Sequence, residues 1–232
     1  MTIDVCTDAD AAARKAAALI ATEARETVAA QGRFVIAFSG GRTPWVMLRT
    51  LADEDVPWNN LHVVQVDERV APAGHPDRNL THLRTSLLDH TPLRAEQLYA
   101  MPVEARDLEA AAAQYAETLR QIAGSPPVLD LVHLGLGVDG HTASLVPGDP
   151  ILGVADADVA VAGPYQGWRR MTLTYPILSR AGQILWLVTG DDKASMLARL
   201  RNGDVSIPAG RIRRERALVF ADQAAAGLRE PR

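Results

Sequence analysis

Short apolar runs alternate with segments of helical pattern along this chain of 232 residues, and this alternation constrains its fold more than any other feature. Short apolar runs bounded by turn residues are typical of buried strands. They predict strands at 33–38, 61–66, 129–134, 171–175, 183–189 and 217–220. Strands that alternate with helices form a mostly parallel sheet with helices on both faces. The sequence therefore predicts an α/β fold of this kind.

Residues that favour helix ends indicate where several helices begin and end. Asp8 or Asp10 is expected to cap a helix that runs to about residue 30, and Gly32 is expected to end it. Thr43 is predicted to cap a second helix, with Pro44 as its first residue. Further helices are predicted at 79–88, 104–122 and 191–201.

The composition, with 47% hydrophobic and 22% charged residues, is that of an ordinary globular protein. No linker rich in proline, glycine and serine divides the chain, so residues 1–232 are expected to form a single domain. The formal net charge of -4 argues against general binding to nucleic acid, which depends on neutralising phosphates.

The only cysteine, Cys6, cannot form an internal disulfide, which favours a reducing compartment. The first residues lack the basic start and apolar run of a signal peptide. No stretch approaches the roughly 20 apolar residues that span a bilayer. We therefore expect a cytoplasmic protein that does not bind membranes, and we expect it to be a monomer.

The first of three clusters that follow predicted strands is SGGRTP at 39–44. Parallel sheets place their ligands beyond the carboxyl ends of the strands. Glycines let backbone N–H groups approach an anion, and the next helix presents its positive end. The candidate phosphate-binding residues are Ser39, Gly40, Gly41, Arg42 and Thr43. The alternative is a tight turn with no ligand.

The second cluster is Asp67-Glu68-Arg69, with Asn79 further along the chain. Two acids and an arginine at a strand end are suited to orienting sugar hydroxyls or to acid–base chemistry. The alternative is a surface ion pair, which would contribute little.

The third cluster, GLGVDGHTAS at 135–144, contains His141 two residues after Asp139. An imidazole has an ordinary pKa of about 6.5, so it can take a proton from water at neutral pH. A nearby carboxylate such as Asp139 is expected to set its tautomer. The cluster also contains the glycine spacing of a dinucleotide site, but that site needs a helix opening within the motif.

Basic residues form a fourth group, in which Arg169 and Arg170 precede a strand and Lys193 follows Thr189-Gly190. Arg170 and Lys193 are candidate donors to a phosphate, and solvated surface charge is the alternative.

No histidine has metal-ligand spacing, so no metal is predicted. Packing or surface roles are expected for the other histidines, namely His62, His75, His82, His90 and His133.

Six blocks in a fixed order resemble a known family over nearly the whole chain. They are FSGGRTP (38–44), VDERV (66–70), LGLGVDGHTASLVPG (134–148), RRMTLTYPILSRA (169–181), LVTGDDKASML (187–197) and IPAGRI (207–212). Together they resemble the 6-phosphogluconolactonases of the glucosamine-6-phosphate isomerase/6-phosphogluconolactonase superfamily. Deaminases of this superfamily typically have a tyrosine after Asp-Glu and a histidine loop ending in Asn-Glu-Pro. This chain has Arg69 and Thr-Ala-Ser-Leu-Val-Pro-Gly instead, and departs from the family at Arg42 and Gly210, where serine is common.

The resemblance implies a Rossmann-like α/β fold, no required cofactor and hydrolysis of a sugar-phosphate lactone in the oxidative pentose phosphate pathway. His141 is expected to be the general base, with Arg69 stabilising charge or holding the substrate and Asp67 fixing the sugar. Asp67 is the rival candidate for the base. The rival functions are a glucosamine-6-phosphate deaminase and a sugar-phosphate sensor that lacks catalysis.

Overall fold

A computed structural model describes residues 1–228, and the last four residues of the expected domain, 229–232, lie outside the described residues. The described part contains strands and α-helices in alternation. The strands are β1 (Thr2–Cys6), β2 (Phe34–Phe38), β3 (Leu61–Gln65), β4 (Asp67–Arg69), β5 (Leu98–Tyr99), β6 (Leu131–Leu134), β7 (Val159–Tyr165), β8 (Trp168–Leu173), β9 (Gln183–Val188) and β10 (Ala217–Asp222). The helices are α1 (Ala9–Gln31), α2 (Arg42–Ala52), α3 (Asn79–Ser86), α4 (Leu108–Ala123), α5 (Tyr175–Arg180) and α6 (Ala194–Arg201).

Seven strands form one parallel sheet in the order β1-β10-β9-β6-β2-β3-β5. Alternate residues of β2 point to opposite faces of this sheet, because side chains in a strand have a period of two. Phe34, Ile36 and Phe38 pack with α1 and α2 on one face, whereas Val35 and Ala37 pack with α4 on the other. The predicted α/β fold, with a Rossmann-like parallel sheet covered on both faces, is confirmed.

The second sheet differs from the sequence prediction. It is antiparallel, in the order β4-β8-β7. The strand predicted at 171–175 lies in this second sheet as the end of β8, which stops at Leu173, and Tyr175 begins α5. The run Val159–Tyr165 contains a glycine and a proline, which hid β7 from the sequence analysis. This small sheet extends the carboxyl end of β3 and provides one wall of the site described below.

Two helix ends match the sequence prediction and two do not. Asp8 caps α1 by accepting from the Ala11 backbone N–H, and Gly32 ends it with a φ of 81°. Thr43 does not cap α2, because the helix begins one residue before it, at Arg42, and Gly41 stands at the cap position. The helix predicted at 104–122 begins later, where Asp107 caps α4. No α-helix in the described part of the chain has the length and apolarity that a membrane span needs.

Candidate active site

A cavity of about 500 Å³ lies beyond the carboxyl ends of the main strands, where the loops after β2, β6 and β9 meet the small sheet. The candidate residues that line it are Ser39, Gly40, Gly41, Arg42, Thr43, Asp67, Arg69, His141, Arg170 and Lys193. Asp139 lies beside the cavity and contacts His141. The structure thus brings together residues that the sequence places in four separate clusters.

The loop after β2 has little space for side chains. A Cβ added at Gly40 would lie 1.9 Å from Oδ1 of Asn79, so only glycine fits there. Gly41 has a φ of 132°, a conformation that side chains rarely adopt. The Ser39 hydroxyl donates to the His133 carbonyl at 3.0 Å and so joins the ends of β2 and β6. Gly40, Gly41 and the beginning of α2 therefore line the cavity.

The loop after β9 is tied to the loop after β2. The hydroxyls of Thr43 and Thr189 lie 2.6 Å apart. The backbone N–H of Gly190 donates to the Asp222 carboxylate, whose two oxygens lie at 3.1 Å. Nζ of Lys193 lies 3.1 Å from an oxygen of Asp192. We call residues 39–43 and 189–193 the loop cluster.

Asp67 is buried and its carboxylate is held from three sides. Oδ2 accepts from the Ser144 hydroxyl at 2.6 Å, and Oδ1 accepts from the Asn79 amide at 3.2 Å. The Arg170 guanidinium lies 3.8 Å from Oδ2. Each oxygen of Asp67 therefore already accepts a hydrogen bond from a side chain of the protein.

Glu68 does not form the surface ion pair that was one interpretation of this cluster. It is fully buried, and its carboxylate accepts from the backbone N–H groups of Asn79 and Leu80, each at 2.8 Å. It also lies 3.2 Å from the buried Arg78. An anion at the beginning of a helix is stabilised by the free N–H groups there. Glu68 therefore fixes the beginning of α3 and so positions Asn79.

Arg69 and Arg170 are directly opposite each other in the pairing of β4 with β8. Arg69 donates to the Asp77 carbonyl at 2.6 Å, and Arg170 donates to the Tyr165 carbonyl at 3.1 Å. Burial lowers the pKa of the Arg170 guanidinium, and the negative charge of Asp67 opposes this effect. Arg169 points elsewhere, since it is exposed and pairs with Glu109.

His141 forms a pair with Asp139. Its Nδ1 lies 2.6 Å from Oδ1 of Asp139, which also accepts from the His141 backbone N–H at 3.1 Å. Burial raises the pKa of Asp139, but hydrogen bonds and charge from His141 outweigh it, and the net pKa is lowered. A carboxylate can only accept, so Nδ1 carries the ring proton and Nε2 carries the lone pair. A Cβ at Gly137 would lie 2.0 Å from Nδ1, so glycine is required behind the ring.

We call Asp67, Arg69, Asp139, His141 and Arg170 the His141 cluster. The loop cluster and the His141 cluster line one cavity, and Asn79 contacts both.

Comparison with known proteins identifies the family of this chain. The model of a family described as glucosamine-6-phosphate isomerases/6-phosphogluconolactonase matches residues 7–220. The chain belongs to this family. A 6-phosphogluconolactonase of Nostoc sp. is 35% identical over 97% of this chain and 97% of its own length.

Solved structures agree with this assignment. The crystal structure of a 6-phosphogluconolactonase from Thermotoga maritima matches with a TM-score of 0.85 and 25% identity, covering 95% of this chain and 98% of that one. A monomeric glucosamine-6-phosphate deaminase has the same fold, with a TM-score of 0.86 and 20% identity over 99% and 100% of the two chains. Because lactonases and a deaminase of the family share one fold, the side chains in the cavity must distinguish them.

The dinucleotide interpretation of the loop after β6 is wrong. A dinucleotide fingerprint needs a helix that begins within the glycine motif. Here residues 135–149 contain only turns and one isolated bridge between Thr142 and Leu145. The loop instead presents His141 to the cavity.

His133 is packed within β6, as the sequence predicted. Its ring is completely buried, and neither ring nitrogen has a partner among the described residues. Burial lowers the pKa of His133 to about 3, so the ring is neutral at physiological pH. The other histidines lie outside the cavity lining. Residues 1–228 contain no group of three or more histidine, cysteine or acidic side chains arranged to hold a metal.

Several residues of the site were not predicted from the sequence. Ser144 holds Asp67, Asp222 holds Gly190, and Tyr165 lies beside His141 and Arg170. Ser144 and Tyr165 are far in sequence from at least one partner, and no local pattern marks them. Asp222 carried a weak signal, since this carboxylate follows the apolar run at 217–220 after one alanine.

Proposed function

We propose that this chain hydrolyses 6-phospho-D-glucono-1,5-lactone to 6-phosphogluconate, as the lactonases of its family are named to do. The observation that carries the proposal is the His141–Asp139 pair, whose histidine faces a cavity that is also lined by three arginines and a lysine. A δ-lactone already has an activated ester carbonyl, so its hydrolysis needs a base and charge stabilisation, with no covalent nucleophile. The reaction belongs to the oxidative pentose phosphate pathway.

In the proposed mechanism His141 is the general base. Nε2 takes a proton from water as the water oxygen attacks the lactone carbonyl. The resulting imidazolium is stabilised by Asp139, and it then protonates the ring oxygen as the C–O bond breaks. Arg69 and Arg170 stabilise the negative charge that develops on the carbonyl oxygen. Water is added, the ester bond is broken, and no cofactor or metal is expected to take part.

The loop cluster is proposed to bind the phosphate. Helix α2 begins within it, so free backbone N–H groups and the positive end of the helix face the cavity. Lys193 and Arg42 line the same region and supply positive charge. Arg42 stands where the family often has serine, and its exposed guanidinium is an additional donor in this chain.

Arg170 was predicted from the sequence to bind the phosphate, but its contacts favour a different role. It is buried between the Asp67 carboxylate and the Tyr165 ring. We therefore assign Arg170 to the carbonyl rather than to the phosphate. The contacts of Asp67 with Ser144, Asn79 and Arg170 favour a role in orienting these side chains and the sugar over a role as the base.

A pH-stat assay with freshly prepared lactone, corrected for spontaneous hydrolysis, tests the function. Acid release well above the uncatalysed rate is the expected result. Release of ammonia from glucosamine 6-phosphate would instead assign the chain to deaminases. Tight binding of the lactone without turnover would indicate a sensor.

The remaining proposals concern the molecule as a whole. Two hydrophobic clusters pack on opposite faces of one sheet, which supports a single domain. We expect a monomer in the cytoplasm, and equilibrium sedimentation would test the oligomeric state.

A further inference from the structure

Tyr165 contacts both the His141–Asp139 pair and Arg170. Its hydroxyl donates to Oδ2 of Asp139 at 3.2 Å and lies 3.5 Å from Nδ1 of His141. Its ring meets the His141 ring edge-on, with centroids 5.2 Å apart. The Arg170 guanidinium lies over the same ring at 5.1 Å and donates to the Tyr165 carbonyl. One residue outside the expected site therefore touches both the base and the carbonyl-side cation.

The backbone around Tyr165 is built to hold it there. The pairing of β7 with β8 shifts register between Ala162 and Tyr165, which is a β-bulge that turns the strand. Gln166 and Gly167 both have positive φ and close a tight hairpin directly after it. Asp149 accepts from the Gly163 backbone N–H at 2.9 Å and so fixes the bulge to the loop that carries His141.

We infer that Tyr165 is a positioning residue, which holds the Asp139 carboxylate against His141 through its hydroxyl and holds Arg170 through its ring. This inference rests on the proposed function and extends it. Asp139 offers two oxygens, of which Oδ1 is taken by His141. A donor on Oδ2 fixes the plane of the Asp139 carboxylate. It also weakens the electrostatic stabilisation that Asp139 gives to the His141 imidazolium.

The electrostatic surroundings keep the Tyr165 hydroxyl a donor. Burial raises the pKa of Tyr165, and the negative charge of Asp139 raises it further. Asp139 on the histidine loop and Arg170 on β8 are the charged groups that contact this tyrosine. Asp67 and Arg69 on β4, together with Lys193, are further charged groups that line the cavity.

The variant Tyr165→Phe removes the hydroxyl and keeps the ring. It should lower kcat about 3- to 10-fold, the equivalent of one hydrogen bond, while KM stays unchanged. The acid limb of kcat/KM should move up by about half a pH unit, because Asp139 then stabilises the imidazolium more strongly. Tyr165→Leu should lower kcat about 3- to 10-fold further, since Arg170 also loses its aromatic partner.

Tyr99→Phe is the matched control. The Tyr99 hydroxyl lies 2.9 Å from Nδ1 of His62, outside the cavity lining, so its loss should leave kcat, KM and the pH profile unchanged. Thermal unfolding of all three variants separates loss of fold from loss of function.

An NMR titration of the His141 ring in the wild-type protein and in Tyr165→Phe tests the inference without turnover. The titration midpoint should move to higher pH in the variant. Equal midpoints, or an unchanged acid limb, would overturn the role of Tyr165. Absence of lactone hydrolysis by the wild-type protein would overturn the proposed function, and the midpoint shift would still decide the contact between Tyr165 and the Asp139–His141 pair.

Discussion

The His141 cluster and the loop cluster line one cavity but are built from different parts of the chain. In the His141 cluster, ionisable side chains contact one another, as His141 does with Asp139 and Arg170 does with Asp67. In the loop cluster, glycines and the beginning of α2 bring backbone groups to the cavity, and Lys193 adds a positive charge. Fixed side chains are suited to moving a proton, whereas backbone N–H groups are suited to binding a phosphate. The comparison predicts that substitutions in the first cluster lower kcat and those in the second raise KM.

The largest effect is expected from His141→Ala. Removing a positioned base typically lowers kcat about 10²–10⁴-fold, and KM should change little because the loop cluster is intact. His141→Gln should not restore activity, since an amide does not accept a proton at neutral pH. Initial rates with fresh lactone measure both constants.

Two further variants sharpen this test. His90→Ala is the control, because His90 is exposed and remote from the cavity lining. Asp67→Asn addresses the rival base. If His141→Ala retains most of its kcat while Asp67→Asn is inactive, the two residues have exchanged roles and the His141 cluster must be reinterpreted.

A smaller effect is expected from Lys193→Ala, which probes the loop cluster. A charged contact contributes about 1.5–3 kcal/mol, so KM for the phosphorylated lactone should rise about 10- to 100-fold. KM for unphosphorylated gluconolactone should not change, and kcat should be retained. Lys15→Ala removes the other lysine of the chain and serves as the control. Equal effects of Lys193→Ala on the two lactones would remove Lys193 from the phosphate site.

His133→Leu tests whether the ring behind the cavity affects stability only. The pKa of His133 is about 3 in the folded protein and about 6.5 in an unfolded chain. As the pH falls, His133 is therefore protonated in the unfolded chain before it is protonated in the folded protein. The free energy of unfolding of the wild-type protein consequently decreases as the pH drops from 6.5 towards 3. Between pH 7 and pH 5 the wild-type protein should lose on the order of 2 kcal/mol more than the variant.

Denaturant unfolding at the two pH values measures this difference, with His90→Gln as the exposed control. Activity at pH 7 should match the wild-type value, because the His133 ring does not reach the cavity. A fall in kcat with unchanged stability would show that His133 takes part in the reaction, and His133 would then have to be added to the His141 cluster.

No effect is expected from a chelator. Neither cluster offers a set of metal ligands within residues 1–228, and arginines provide the positive charge. Rates measured with and without EDTA should agree. Activity lost in EDTA and restored by one divalent ion would show that the His141 cluster is incomplete as described.

The two clusters also differ in how far the sequence predicted them. Most of the loop cluster could be predicted from the sequence, because a glycine turn between a strand and a helix is formed by consecutive residues. Even there, Thr43 was assigned a cap that Gly41 provides, and its hydroxyl instead reaches Thr189. In the His141 cluster, the sequence indicated all five residues, but it predicted a contact only between His141 and Asp139, which are two residues apart. Ser144, which holds Asp67 from 77 residues away, was not predicted.

The sequence by itself determined the parallel sheet, its helices and the loops that present the candidate residues, because apolar periodicity and capping act over short stretches of chain. The tertiary structure alone decided the antiparallel pairing of β4 with β8 and β7. That pairing places Arg69 opposite Arg170 and turns Tyr165 towards His141. Its register depends on how distant segments pack and close their hydrogen bonds, which no local pattern records. For the same reason, the burial of Glu68 at the beginning of α3 emerged only from the folded structure.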